Sequence, residues 1–304
     1  SGRTDRSCDA AARVSAAAPS RLAVAAALAA VYLVWGSTYL AIAIGVQGYP
    51  PFAMGAIRML AAGALFYAVL RWRGVPAPTA AQWRNLAAMG VFMVLFANGL
   101  VNLAQTEVSS GLAAIAVASM PLFVAVFSTL KGRRLGALEW TGIVVGLGGV
   151  ALLNLGSELR GSWLGMVCLI IAPLSWAWGS VWSRDRDLPA PFMSAAGQML
   201  CGGVLMALAS LVLGERFDGP PPLDSTLALV YLALMGSIVG FTAYVWLLSN
   251  VRPALATSYA YVNPAIAVLL GTAVLQERFD ADTWIAMGVI LASVVLVTRA
   301  PKRG

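Results

Sequence analysis

The sequence predicts an all-α integral membrane protein of ten transmembrane helices, built as two inverted-topology five-helix repeats with both termini cytoplasmic. Three observations predict it. Hydrophobic residues make up 60% of the chain and charged residues 11%, with mean hydropathy +0.81, whereas soluble domains carry about 25% charged residues. The second observation is an internal repeat. Trp35-Gly36-Ser37-Thr38-Tyr39 returns as Trp178-Gly179-Ser180-Val181-Trp182, Pro51-Phe52 as Pro191-Phe192, and Pro121 as Pro264. The third is the placement of the basic residues. Arg3, Arg6, Arg13, Arg21, Arg71, Arg73, Arg84, Lys131, Arg133, Arg134, Arg184, Arg186, Arg252, Arg299, Lys302 and Arg303 fall on one side of a ten-span layout. Only Arg160, Arg216 and Arg278 fall on the other, which is the positive-inside bias with cytoplasmic termini.

A span needs roughly 20 apolar residues at about 1.5 Å of rise each. Residues 1–21 are polar, Ala-rich and basic, and are expected to be disordered. The first span, 22–44, carries the Trp35 motif, and its apolar run is too long for the roughly 7–15 residues of a signal-peptide core. The second, 51–71, opens at Pro51-Phe52 and holds Arg58. The third, 84–104, bears Asn98 and Asn102, followed by Gln105, at i, i+4 and i+7, one helical stripe. The fourth, 108–130, contains Ser119 and Pro121, and the fifth, 138–155, closes the first repeat, 22–155. The second repeat, 162–299, runs through spans at 162–182, 191–213, 225–248, 254–275 and 283–299. The sixth span carries the Trp178 motif, and the seventh places Gln198 where the second has Arg58. The ninth shows Thr257, Tyr261 and Pro264 beside Ser258, Tyr259 and Asn263. An odd number of spans per repeat inverts the second copy, the architecture of many secondary transporters. That points to a carrier.

The absences narrow the chemistry. The chain has no histidine, which removes Ser-His-Asp and Cys-His catalysis and histidine metal sites. Its two lysines, Lys131 and Lys302, sit at span ends, and no Asp or Glu falls mid-span. No Walker glycine loop occurs. Cys8, Cys168 and Cys201 lack metal-like spacing and form no disulfide framework. The expectation is therefore no catalytic residue, no metal and no cofactor: not an enzyme. The +7 net charge is a topology signal, and no basic domain exists to hold nucleic acid. A carrier, a channel-like facilitator and a non-transporting scaffold or sensor subunit are left.

Arg58 is the single clearly intramembrane charge. Seven residues into its span, it lies about 10 Å below the outer end. One reading has it snorkel or pair with Glu107 at the same level. The other makes it the counter-ion of an anionic substrate group, gripped through two parallel hydrogen bonds. Asn98 and Asn102 read as a cavity wall or as helix–helix bonding. Trp35, Trp178 and Tyr244 are candidate aromatic surrounds, with Tyr259, Tyr261 and Asn263 as polar contacts. Pro121 and Pro264 are candidate hinges. Glu107 and Glu277, at outer span ends, are the candidate gating or proton-carrying acids. Spans one, three, four, six, eight and nine are expected to border the cavity.

Tyr-Leu-Val-Trp-Gly-Ser-Thr-Tyr (Tyr32–Tyr39), the following Pro-Pro-Phe with Arg58, and Ser-Ser-Gly-Leu-Ala-Ala (Ser109–Ala114) before Pro121 carry a resemblance. So does Pro-Ala-Leu-Ala-Thr-Ser-Tyr-Ala-Tyr-Val-Asn-Pro (Pro253–Pro264), followed by Gln276-Glu277. Together they resemble EamA-type members of the drug/metabolite transporter superfamily over residues 22–299. The resemblance implies two inverted five-helix repeats around a central cavity, a bacterial inner-membrane location, and export of amino acids or other small metabolites. One cation, amides and aromatic faces suit a zwitterionic or amphipathic small molecule as the partner, with the lipid bilayer as the other. Substrate identity and oligomeric state are left open.

Overall fold

The computed structural model describes residues 20–132, 134–155, 162–251 and 258–299. Expectations that concern residues 1–19, Arg133, Arg160, Arg252, Thr257, the Tyr261 side chain and the last five residues lie outside the described residues. Among the described residues every regular element is helical. The helices are α1 (Arg21–Gly45), α2 (Pro51–Trp72), α3 (Ala80–Ala104), α4 (Ser110–Thr129), α5 (Ala137–Leu155), α6 (Trp163–Ser183), α7 (Pro191–Val212), α8 (223–250), α9 (Tyr259–Leu275) and α10 (Ala281–Arg299). Seven are long and apolar enough to cross a membrane; α5, α9 and α10 contain shorter apolar stretches.

Sequence sets the starts. Ser20 accepts from the Ala23 N–H at 3.1 Å at the head of α1, and Pro51 and Pro191 occupy first helical positions, where the missing proline N–H costs nothing. Thr79 and Gln82 form a reciprocal capping box that starts α3. That box pulls the start back to Ala80, four residues before the apolar run predicts, because polar caps sit outside the hydrophobic stretch. Apolar side chains such as Trp72, Leu130, Leu208 and Val212 stand exposed on the outer faces, as lipid contact requires.

Each end of the bundle gathers the same set of helix termini. The starts of α1, α3, α5, α7 and α9 lie at the end that carries the chain termini, and the starts of the other five at the far end. Three side-chain bonds fix this for the far end: Asn102 to the Pro51 carbonyl at 3.1 Å, Ser225 to the Ile44 carbonyl at 2.9 Å, and Tyr49 to Thr226 at 3.1 Å. Tyr32 and Ser258, 2.5 Å apart, tie α1 to α9 at the terminus end. α2 and α7, the second helices of the two repeats, make the most extensive helix pair. A Cβ on Gly63 would sit 3.0 Å from the Met199 Cβ and 3.1 Å from the Leu200 nitrogen, and one on Gly203 3.0 Å from the Leu60 nitrogen. Glycine is what lets these backbones meet.

One feature was not expected from sequence, and the hinge expected at Pro121 takes a definite form. α3 runs as a π-helix over Gly90–Asn98 and α8 over Leu232–Val239, matching positions in the two repeats. α4 is also not continuous: α-helix ends at Val117 and resumes at Met120. Pro121 cannot donate to a carbonyl one turn back, and the break falls just ahead of it. Pro264, its repeat partner, lies inside the unbroken helix Tyr259–Leu275.

Candidate functional site: a central cavity between the repeats

A cavity of about 150 Å³ lies in the middle of the bundle. Its wall draws on α1, α2, α3, α4, α6, α7, α8 and α9, so α2 and α7 join the six helices expected from sequence. Trp35, Arg58, Asn98, Tyr259 and Asn263 line it. Asn102, Trp178 and Tyr244 stand outside that wall. Asn102 is held by the Pro51 carbonyl, Trp178 packs edge-on to Phe127 at 5.5 Å, and Tyr244 stacks behind Trp35 and Tyr259 at 5.1 and 5.5 Å. Trp176, two residues ahead of the motif on the same helix, faces the cavity instead.

The π segments explain much of the site. A π turn widens the helix by one residue and takes carbonyls out of the α-helical ladder. Side chains occupy several of them. Ser175 donates to the Phe92 carbonyl at 2.8 Å and Asn98 to that of Met93 at 2.7 Å. In α8, Ser237 donates to the Leu232 carbonyl at 3.1 Å and the Trp35 indole N–H to Gly236 at 3.0 Å. The last bond fixes Trp35 across the repeat boundary. Phe241 and Tyr259 pack edge-on to its ring at 5.8 and 4.9 Å.

Arg58 is 7% exposed. Its Nε donates to the Ser237 hydroxyl at 3.0 Å, so that hydroxyl accepts from Arg58 while donating to Leu232. Among the described residues no carboxylate forms an ion pair with it. The sequence alternative of pairing with Glu107 does not occur, because Glu107 accepts from the Ser162 hydroxyl. A buried cation without a counter-ion is costly, and the cavity is where its missing anion can be supplied. Gln198, the repeat counterpart of Arg58, reaches the same cavity. Its Oε1, like the Oδ1 of Asn263, is buried without a hydrogen-bond partner. Between these polar groups stand Met59, Met93, Met120 and Met199, polarizable side chains that adapt to varied apolar shapes.

Missed by sequence reasoning were Thr38, Tyr39, Trp176, Phe241 and Ser237, all on the wall. Gln198 carried a signal, since the repeat alignment places it opposite Arg58. Glu277, expected at a gate, accepts from the Ser110 and Gly111 N–H groups at 2.7 and 3.2 Å. Among the described residues no group of His, Cys, Asp and Glu could hold a metal ion.

The pattern of two five-helix units matches the EamA-like transporter family model over residues 21–155 and again over 163–299. The chain belongs to the EamA-like transporter family. It is 46% identical over 273 residues to the uncharacterized inner membrane transporter YedA of Escherichia coli K12, covering 90% of this chain and 89% of that one. It is 25% identical to the uncharacterized transporter YoaV of Bacillus subtilis, over 86% of this chain and 91% of the relative. A solved crystal structure shares the fold at 21% identity and a TM-score of 0.62, with 91% of this chain and 96% of the other covered. The chain is thus a multi-pass transporter of the EamA type.

Proposed function

We propose that this protein is a secondary transporter of the bacterial inner membrane that exports amino acids or related small metabolites by alternating access. Both termini are cytoplasmic in this reading, on the strength of the basic-residue bias. The observation that carries the substrate side is Arg58: a buried cation in the central cavity, fixed by Ser237 and without a carboxylate partner among the described residues.

Geometry along the helix axes supports a zwitterionic or amphipathic solute. The Asn102–Pro51 bond sets α3 level with the start of α2. Counting inward from it, Arg58 and Asn98 lie within about 4 Å of the same depth. An acid group would take the guanidinium. An ammonium beside it would take the Asn98 amide oxygen, whose own N–H₂ is occupied by Met93. The Leu60–Gly203 contact sets the register of α2 against α7, which places Gln198 about 10 Å from Arg58 along the axes. The aromatic and methionine walls between them would hold an apolar body. A single intramembrane cation disfavours polyanions.

Counterflow in proteoliposomes tests this reading. Vesicles loaded with pooled unlabelled amino acids should accelerate uptake of a labelled subset, and Arg58→Ala should remove at least about 90% of that exchange. Exchange unaffected by Arg58→Ala would overturn the assignment of Arg58. Folded protein without exchange for amino acids or other amphipathic metabolites would favour a non-transporting partner.

A further inference from the structure

The two ends of this bundle are not built alike. At the far end, two acids of the second repeat grip helix starts of the first. Glu215 accepts from the Phe52 and Ala53 N–H groups at 3.0 and 2.8 Å, at the head of α2. Glu277 accepts from Ser110 and Gly111 at the head of α4. In both cases an acid two or three residues past the end of a second-repeat helix caps the start of the corresponding first-repeat helix: the turn after α7 caps α2, and the turn after α9 caps α4. A carboxylate is well matched to the free N–H groups and positive pole of a helix start. Glu107 adds a third tie at this end, accepting from Ser162 at the head of α6.

The chain is shaped to present these carboxylates. Gln276 adopts φ +56°, the one non-glycine residue with positive φ among those described. This left-handed turn lets the Glu277 N–H bond the Gly271 carbonyl at 3.2 Å and swings the side chain toward α4. A Cβ on Gly271 would lie 2.2 Å from the Glu277 Oε2, so glycine keeps the place clear. Glu215 follows Gly214, which is also in a positive-φ turn at +69°.

Among the described residues, the terminus-end position pseudo-symmetric to Glu215 lacks the acid. Gly74, at φ +81°, is followed by Val75, whose N–H bonds the Leu70 carbonyl as that of Glu215 bonds Ser210. Val75 packs on the Phe192 and Met193 cluster at the start of α7, the place matching that of Glu215 over α2. Among the described residues no side chain accepts from the Phe192 or Met193 N–H. Among the described residues, ties at the terminus end include the exposed Lys131–Asp185 pair at 2.6 Å, amide contacts of Gln82 and Asn85 to Asp187, and the Tyr32–Ser258 hydroxyl pair, while the buried Glu139 accepts from the nearby Gly136 N–H at 2.8 Å. An exposed ion pair such as Lys131–Asp185 holds weakly.

We propose that Glu215 and Glu277 are paired latches that keep the far end shut, so that the transporter rests with its cavity open toward the end carrying its termini. An inverted repeat with equal ends would have no preferred side. Carboxylates at one end, with valine at the position matching Glu215, bias the two-state equilibrium toward closure of the latched end. The broken α4 gives that end a movable part. Glu277 holds Ser110–Val117, the half ahead of the Ala118–Ser119 break, and Val117 and Met120 on either side of the break line the cavity. With cytoplasmic termini, the resting state is the one that loads from inside the cell.

The test reads access to the cavity without any substrate, so it stands or falls separately from the solute assignment. In full-length protein carrying Cys8→Ser, Cys168→Ala and Cys201→Ala, Ala97→Cys places a thiol on the cavity wall. The protein is reconstituted in vesicles whose sidedness is read from a cleavable C-terminal tag, and a membrane-impermeant maleimide is added to either face. Labelling from the terminus side should be at least about tenfold faster than from the far side. Glu215→Gln with Glu277→Gln should erase or reverse that ratio. Val75→Glu, which supplies a carboxylate to the bare start of α7, should slow terminus-side labelling about tenfold. Equal labelling from both faces in the parent would overturn the proposal. So would an unchanged ratio in a glutamine variant that keeps the parent's gel-filtration volume. If the glutamine variants do not fold, Val75→Glu decides, and an unchanged ratio there overturns it.

Discussion

Ser237 occupies both lone-pair and proton positions of its hydroxyl, accepting from Arg58 and donating to Leu232. Hydrogen bonds to charged groups contribute about 1.5–3 kcal/mol. Ser237→Ala should therefore raise the half-saturation concentration in counterflow about tenfold or more and leave the maximal rate closer to the parent's. A proportional loss of maximal rate alone would show that the serine does not orient Arg58 for binding. Arg58 was legible in the sequence because a lone charge in an apolar run has few purposes. Ser237 was not, because its orientation depends on the π turn around it. Trp178 and Trp176 illustrate the same limit. Two residues apart on a helix, they point about 200° from one another, and a span that is apolar all round gives no periodic clue to which side faces inward. The repeat motif marked Trp178, and the cavity receives Trp176.

The matched π segments in α3 and α8 are the least legible elements and those that shape the wall most. Nothing in Gly90–Asn98 or Leu232–Val239 departs from an ordinary apolar helix in composition. Their cause lies in the side-chain partners that take the released carbonyls, and three of these come from distant helices or the far side of the turn. Deleting Phe96, which faces outward at 43% exposure, should let the segment revert to α-helix. That would keep Gly99–Ala104 in register and return the Phe92 and Met93 carbonyls to the α-helical ladder, taking away the acceptors that Ser175 and Asn98 use. The expected result is protein that inserts and elutes normally but has lost counterflow; full counterflow would show that the π turn is incidental. The spans themselves were legible to within a few residues, because water-to-lipid transfer acts on composition alone. Helix interruptions were less so. Pro121 and Pro264 look equivalent in sequence, yet only the first accompanies a break, since neighbouring helices settle whether a proline is absorbed.

On the scale of the molecule, the repeats meet along α2 and α7, where backbone approaches backbone at Gly63 and Gly203. Overpacking costs about 1–3 kcal/mol per site and more where the neighbour is main chain. Gly63→Leu should lower the thermal unfolding temperature in detergent by several degrees; an unchanged midpoint would mean that this seam can open. The repeat architecture was read directly from the spacing of Trp35, Pro51 and Pro121 against Trp178, Pro191 and Pro264. The inequality of its two ends was not: Glu277 stood out as a candidate gating acid, but Glu215 looks like an ordinary loop acid until the α2 start it caps is in view. The α2–α7 seam also has a meaning for the cell. Main chain against main chain makes a fulcrum: in the proposed alternating-access cycle the halves would rock about it, and tilting that widens one mouth would narrow the other. A membrane crowded with such a transporter would still hold its voltage, because no straight hole would open through the bundle.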